Sequence, residues 1–525
     1  RGQAGYEIKA VGTAQEKRIT YEYDPRFVDK PIRITEPSVY PGEFRVTARS
    51  YDTRGNPLVD SVAGFDPLGG TVSRTTTRAF DGPFGQLSMV DGPRTDVDDI
   101  TRYEYYADDP AEGHNRARLK AVTGPGGIRT RDNISYGATG KILRESRPNG
   151  ITVDYEYYAG NDRIKAVTES ADDLYHRTRW EYFPTGDVQR VILDDETGEE
   201  IITQFVYDRA RRLQRIESRV VRGQVLTANQ WVSFEFDAAG NPVAEHHESR
   251  DTPGSEIMIE RVFDAYDRLD TLTQGGVTVD FDYNPDGTLA SRTDGKLNTT
   301  TYSYDAFKRL TRTTQLGQVT TGLEYDTQGN QISVTDPENH ATRYLYDDLG
   351  NRIRQDSPDS GITSFTYNEA GQVVSQTDAR GQGSRLTYDS AGRLRMIDRP
   401  GSDYDVTYEF DECMNGAARL CAITTGWGHT IQYTWNALGE LASITTNEGR
   451  VGYTWGPNNS LTSVEYPSGR KVFFELDGGG LPIRVRLQSG TATESILVDD
   501  IRYSPLGKPV AWRFANGQHT RVELD

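Results

Sequence analysis

The sequence predicts an all-β fold: repeated antiparallel β-hairpins joined into one curved sheet. Three observations predict it. Tyr283, Tyr304, Tyr325, Tyr346, Tyr367 and Tyr388 recur every 21 residues. An Asp or Asn follows each of them, and Gly287, Gly329, Gly350, Gly371 and Gly392 stand four residues after their tyrosines, with Lys308 in that place once. The composition suits a sheet that is wet on at least one face, because 30 Tyr, 17 Phe and 6 Trp accompany 52 Gly and 23 Pro at only 35% apolar residues.

Each part of the repeat has a physical role. Before the tyrosine, aromatic and polar residues alternate, as in Phe281-Asp282-Tyr283 and Tyr302-Ser303-Tyr304, which marks a strand with one aromatic face. The Asp or Asn starts a turn, its side chain bonding the backbone two residues on. The Gly supplies a positive φ. A branched apolar residue then resumes the alternation (Leu289, Leu310, Ile332, Ile353, Val373, Leu394), so the chain has reversed into a hairpin. A second turn falls midway to the next tyrosine, at Asp336-Pro337-Glu338-Asn339, Asp378-Ala379-Arg380-Gly381 and Arg399-Pro400-Gly401. The 21 residues therefore hold two strands and two turns. A parallel β-helix coil of that length needs a third turn signal, which the repeat lacks.

Beyond the regular block the period loosens to between 20 and 29 residues. On the C-terminal side it continues at Phe410, Trp435, Trp455, Leu476 and Tyr503. On the N-terminal side it continues at Phe263, Phe236, Tyr207, Tyr182, Tyr158 and Tyr136, with Tyr51-Asp52 and Tyr23-Asp24 as earlier units. Residues 106–118 and 190–202 read as longer hairpin loops. No linker or charge block separates two domains. The expected organisation is one segment, 1–525, with irregular repeats over 1–260, the regular block over 261–410 and variant repeats over 411–525. A repeat protein of 525 residues needs no single large core, since each unit buries itself against its neighbours.

The net charge of −19 repels phosphate backbones and argues against nucleic acid as a partner. No apolar run is long enough to cross a membrane, so direct insertion by this segment is not expected. The chain opens at Arg1 directly into strand-like sequence and reads as an excerpt of something longer.

Tyr304-Asp305-Ala306-Phe307-Lys308-Arg309-Leu310 and Tyr388-Asp389-Ser390-Ala391-Gly392-Arg393-Leu394 resemble the signature of the Rhs/YD-repeat family. That family includes bacterial Rhs polymorphic toxins, the C component of insecticidal Tc toxin complexes and the YD shell of animal teneurins. The resemblance implies a ribbon of hairpins that spirals into a hollow shell, or part of one, around a polypeptide cargo, typically the protein's own C-terminal toxin domain. It also implies a secreted or bacterial cell-surface setting. The alternative is an extracellular adhesion or carbohydrate-binding surface, with a cell-surface receptor or glycan as partner. In the family an aspartyl autoprotease with paired Asp-Pro-x-Gly motifs releases the cargo. Here Asp66-Pro67-Leu68-Gly69 stands alone near the N-terminus, so neither the protease nor a toxin is expected within this chain.

The candidate sites are few. One Asp per turn is what turn chemistry alone requires, whereas calcium needs six or more converging oxygens. The tyrosines, placed opposite Leu or Ile, suit cross-strand packing better than sugar stacking. Choline- and glucan-binding repeats share a similar turn but rely on recurrent Trp, and no Trp lies between Trp231 and Trp427. The seven His are scattered, no HExxH, GxSxG or P-loop pattern occurs, and no catalytic residue, metal site or cofactor is expected. Cys413 and Cys421 flank a lengthened turn and so could face each other. Cysteine-bearing units of this form are familiar in the family, and an exported setting makes one intrachain disulfide the expectation. Two free, partly buried thiols are the other reading.

Overall fold

The Asp-x-x-Gly string closes a hairpin because its backbone bonds to itself twice. The amide of Asp305 donates to the carbonyl of Arg309 at 3.0 Å, and the amide of Lys308 donates back to the carbonyl of Asp305 at 3.0 Å. This encloses three residues in a type I turn ending in a left-handed residue, a common hairpin connection. The left-handed position is Gly329, Gly350, Gly371 or Gly392 in later units, and Lys308 adopts it with φ of 61°. The midway turns use the same device. Asn339 (φ 65°) and Gly381 (φ 77°) close turns begun by Asp336 and Asp378.

The computed structural model describes residues 4–13, 15–194, 200–222, 225–249, 256–456, 459–477, 480–504 and 508–522. Among these, 44 β-strands and five short 3-10 turns account for the regular structure. Among the described residues the strands pair antiparallel with their neighbours in sequence, as Thr299–Tyr304 does with Leu310–Gln315 and Gly361–Tyr367 with Val373–Thr377. The fold is thus all-β and hairpin-built, as the alternation predicts. No described helix is long and apolar enough to cross a membrane.

The chain divides into two compact units. The first comprises residues 1–130, 281–408 and 425–428; the second comprises 131–280, 409–424 and 429–525. In the first, strands from Tyr6–Lys9 to Leu119–Thr123 pair in succession, and the regular block follows the same rule. In the second, a small cluster of Ile151, Val153, Ala171 and Ala437 is buried, with Tyr155, Val167, Leu174 and Leu438 packed around it. Fully buried apolar residues are few, as a sheet with much exposed surface requires.

Three local expectations change. The cross-strand partners of Tyr304, Tyr325, Tyr346, Tyr367 and Tyr388 are Leu310, Gln331, Arg352, Val373 and Leu394, not always Leu or Ile. A bulge at each tyrosine fixes the partner six residues on, while the apolar residue drifts by one position. Tyr157, not Tyr158, ends the strand Thr152–Tyr157; Tyr158 takes the place of the turn Asp. Residues 190–202 are not mainly loop, because strands Val188–Asp194 and Glu200–Tyr207 fill both ends; 195–199 lie outside the described residues. The segment 106–118 is a long loop and carries the 3-10 turn Pro110–Asn115.

Candidate functional site: hairpin turns and their docking contacts

The repeat tyrosines are half-buried at strand ends. Several use the hydroxyl as well as the ring. Tyr325 donates to the carbonyl of Leu310 (2.8 Å), Tyr367 to that of Arg352 (2.7 Å) and Tyr388 to that of Val373 (2.9 Å), each 15 residues back. Tyr157 does the same to Ile142 at 2.9 Å. Trp435 and Trp455, which replace Tyr, keep the bond through Nε1, to Leu420 (3.0 Å) and Leu441 (2.7 Å). The bond ties each hairpin to the one before it.

The turn carboxylates are saturated by their own turns. Oδ1 of Asp305 accepts the amides of Phe307 (2.8 Å) and Arg309 (2.9 Å), and Oδ2 takes the Arg309 guanidinium at 2.7 Å. Burial alone would raise the Asp305 carboxyl, but these bonds win and hold it below the usual range. Asn330 and Asn351 fill the role of Arg309 for Asp326 and Asp347. The donor side chain four residues after the Asp is part of the motif, and sequence reasoning missed it. These oxygens are engaged within their turns, and among the described residues no group of three His, Cys, Asp or Glu could hold a metal ion. Asp66-Pro67-Leu68-Gly69 is one more such turn: the Asp66 amide bonds Gly70, its Oδ1 takes the Leu68 amide, and Gly69 is left-handed at φ 91°.

In the first unit, the turns of the regular block dock on loops and strand ends nearly 300 residues earlier. The amide of Ala306 donates to Oε1 of Gln15 at 3.1 Å, Gln328 donates to the carbonyl of Pro37 at 2.5 Å, and Thr95 donates to Glu369 at 2.9 Å. Arg94, with a side chain 2% exposed, caps the carbonyls of Tyr388 and Asp389. Asp348 is the most deeply engaged. It is 2% exposed and accepts from Ser38 Oγ (2.6 Å) and from the amides of Val39 (2.8 Å) and Phe65 (2.8 Å). Its own amide donates to the carbonyl of Phe65 at 2.8 Å. Gly64 makes the room, since a Cβ there would collide with the Asp348 side chain.

The second unit repeats the theme. Ala437 and Leu438, at the turn after Trp435, plug the cluster around Val153. Glu440 closes that turn. Its Oε2 takes Asn436 Nδ2 at 2.6 Å, while its Oε1 is buried without a hydrogen bond, 3.6 Å from His176 Nε2. A shallow depression beside it is lined by Asp172, Leu174, Met414, Trp435 and Arg450. Nearby, Cys413 and Cys421 are joined as a disulfide with Cα atoms 5.4 Å apart. The turn they cross docks on Asn149, which accepts the Ala417 amide at 2.9 Å and donates to the Ala417 carbonyl at 3.2 Å.

Comparison with known proteins follows the same lines. A family model described as the teneurin YD-shell matches residues 288–419. Double-stranded DNA deaminase toxin A of Burkholderia cenocepacia (strain H111) is 29% identical over 239 residues, covering 44% of this chain and 14% of that protein. The structure of TcdB2-TccC3 without its hypervariable C-terminal region superposes with a TM-score of 0.73 at 10% identity, over 97% of this chain and 36% of that one. The Photorhabdus luminescens Tc holotoxin pore gives 0.61 at 11% identity, over 97% and 39%. At such identities the structural likeness shows the fold. The chain spans a minor part of each of these relatives.

Proposed function

We propose that the chain, whose residues 288–419 match the teneurin YD-shell model and whose fold is that of TcdB2-TccC3, is an Rhs/YD-repeat segment that builds part of a shell wall enclosing a polypeptide cargo for delivery. The docking of regular-block turns on segments 274 to 310 residues earlier supports the reading. A hairpin ribbon alone leaves edges open; contacts of this kind seal one course of ribbon to another. The wall acts passively, by hydrogen bonding and exclusion, and the proposed setting is secretion or the bacterial surface. Small-angle scattering tests it. A compact globule of this length has a radius of gyration of about 24 Å. A wall around a cavity gives a larger value and a pair-distance profile depleted at short range, and a radius near the compact value would overturn the proposal.

An adhesion or glycan-binding role is favoured by one feature. Tyr404 and Trp427 are 56% and 63% exposed and meet edge to face at 5.8 Å. Glycan-array binding abolished by Trp427→Ala would support that reading, and no binding to any glycan would remove it.

A further inference from the structure

We propose that the Cys413–Cys421 disulfide is a redox latch, which holds one hairpin turn docked on Asn149 and releases it on reduction. The turn differs from its relatives in length. Asp305 closes on Arg309, four residues on, whereas Asp411 closes on Arg419, eight residues on. The longer turn also carries three non-glycine residues in the left-handed region: Asp411 (φ 75°), Asn415 (φ 54°) and Ala418 (φ 66°). Such positions persist only where surrounding bonds over-determine them. The disulfide is the covalent one of those bonds.

The latch and the docking contact are adjacent. Both sulfurs pack against Gly416, where an added Cβ would lie 2.5 Å from Cys413 Sγ and 2.6 Å from Cys421 Sγ. No larger residue fits, so the disulfide packs directly on the Gly416 backbone, whose amide donates to the Cys413 carbonyl at 2.9 Å. The next residue, Ala417, makes the two-way pairing with the Asn149 amide. Opening the bond frees Gly416 and, through it, the residue that docks. Asn149 is itself left-handed, at φ 65°, in the 3-10 turn Pro148–Gly150, so its side chain is presented by a fixed turn.

The chemistry is ordinary thiol–disulfide exchange. A thiolate attacks Cys413 Sγ, since that residue is half-buried while Cys421 is 6% exposed. The S–S bond breaks and Cys421 leaves with the electron pair, its sulfur already receiving the Cys413 amide N–H at 3.0 Å. A second thiol resolves the mixed disulfide at Cys413. In sum, one protein disulfide and two thiols give two protein thiols and one external disulfide. The turn is latched in an oxidising exterior and free in a reducing one.

Hydrogen exchange read by mass spectrometry on the 525-residue chain tests this, with and without dithiothreitol, full reduction being verified by alkylation. Reduction is expected to speed exchange across 411–421 and also across 148–152, by roughly tenfold to a hundredfold, given the loop entropy the bond removes. The double variant Cys413→Ser, Cys421→Ser is expected to match the reduced protein and ignore the reductant. Asn149→Ala is expected to speed exchange at 411–421 with the disulfide intact. If that double variant does not fold, wild type with and without reductant decides alone. Full reduction that leaves 148–152 unmoved would overturn the proposal, as would a disulfide that resists dithiothreitol in the folded chain.

Discussion

The phenol of Tyr367 donates a 2.7 Å hydrogen bond to the backbone carbonyl of Arg352, the first residue of the strand that precedes its own. The repeat tyrosine is therefore a fastener between hairpins as well as a packing residue. Tyr367→Phe keeps the ring and removes the bond. The expected cost is about 1 kcal/mol, seen as a lower urea midpoint at unchanged slope. Trp435→Phe should cost a similar amount, because the lost indole N–H plays the same part.

Asp348 should be far more sensitive. Asp348→Ala strands Ser38 Oγ and the amides of Val39 and Phe65 beneath the docked turn. The expected loss is about 3 kcal/mol or more, with faster hydrogen exchange around 38–39 and 65. Ser38→Ala combined with Asp348→Ala should cost less than the two singles summed, since one interaction is counted twice. Additive costs would show that the two residues are not coupled.

Acid should loosen the chain in a defined window. The hydrogen-bonded Arg26 guanidinium draws the Asp24 carboxyl down to about 2. Backbone amides of Arg212, Asn241 and His340 likewise hold Asp208, Asp237 and Asp336 below the ordinary range. A carboxyl with a lower folded than unfolded pKa contributes stability that is fully present above the unfolded value and lost as pH falls through the folded one. The urea midpoint should therefore vary little with these groups between pH 7 and about 5, then fall between about pH 4 and 2. Asp24→Asn should flatten its share of that fall.

Glu440→Gln should stabilise the second unit. Glu440 Oε1 is buried without a donor and faces His176 Nε2. A carboxamide can keep its oxygen toward Asn436 Nδ2 and offer an N–H to the imidazole. A gain of about 1 kcal/mol in urea unfolding at pH 8 is expected, and a loss would mean that the carboxylate has a partner among the surrounding water.

What was legible in the sequence is what is local. The Tyr-Asp pair, the left-handed Gly and the two turns per repeat act within five residues, so spacing alone exposes them. The donor four residues after the Asp (Arg309, Asn330, Asn351, Gln372, Arg393) was equally local and went unread because its identity varies while its chemistry does not. The tyrosine hydroxyl bond spans 15 residues, but Trp435 and Trp455 hinted at it, since both replacements keep a donor. The docking contacts are another matter. Nothing near Ser38 or Phe65 announces Asp348, which lies 310 and 283 residues away. The two faint signs were an extra Asp directly after Asp347 and a glycine, Gly64, inside the strand Pro57–Phe65.

Those long separations have a consequence for biosynthesis. Ser38 and Phe65 leave the ribosome 310 and 283 residues before Asp348 does. At roughly 5–20 residues per second, their partner arrives about 15 to 60 s later. Through that interval the donors Ser38 Oγ and the amides of Val39 and Phe65 await the carboxylate that will pair with them. The nascent chain must therefore stay soluble on its surface charge, or be held by a chaperone, until the regular block is translated.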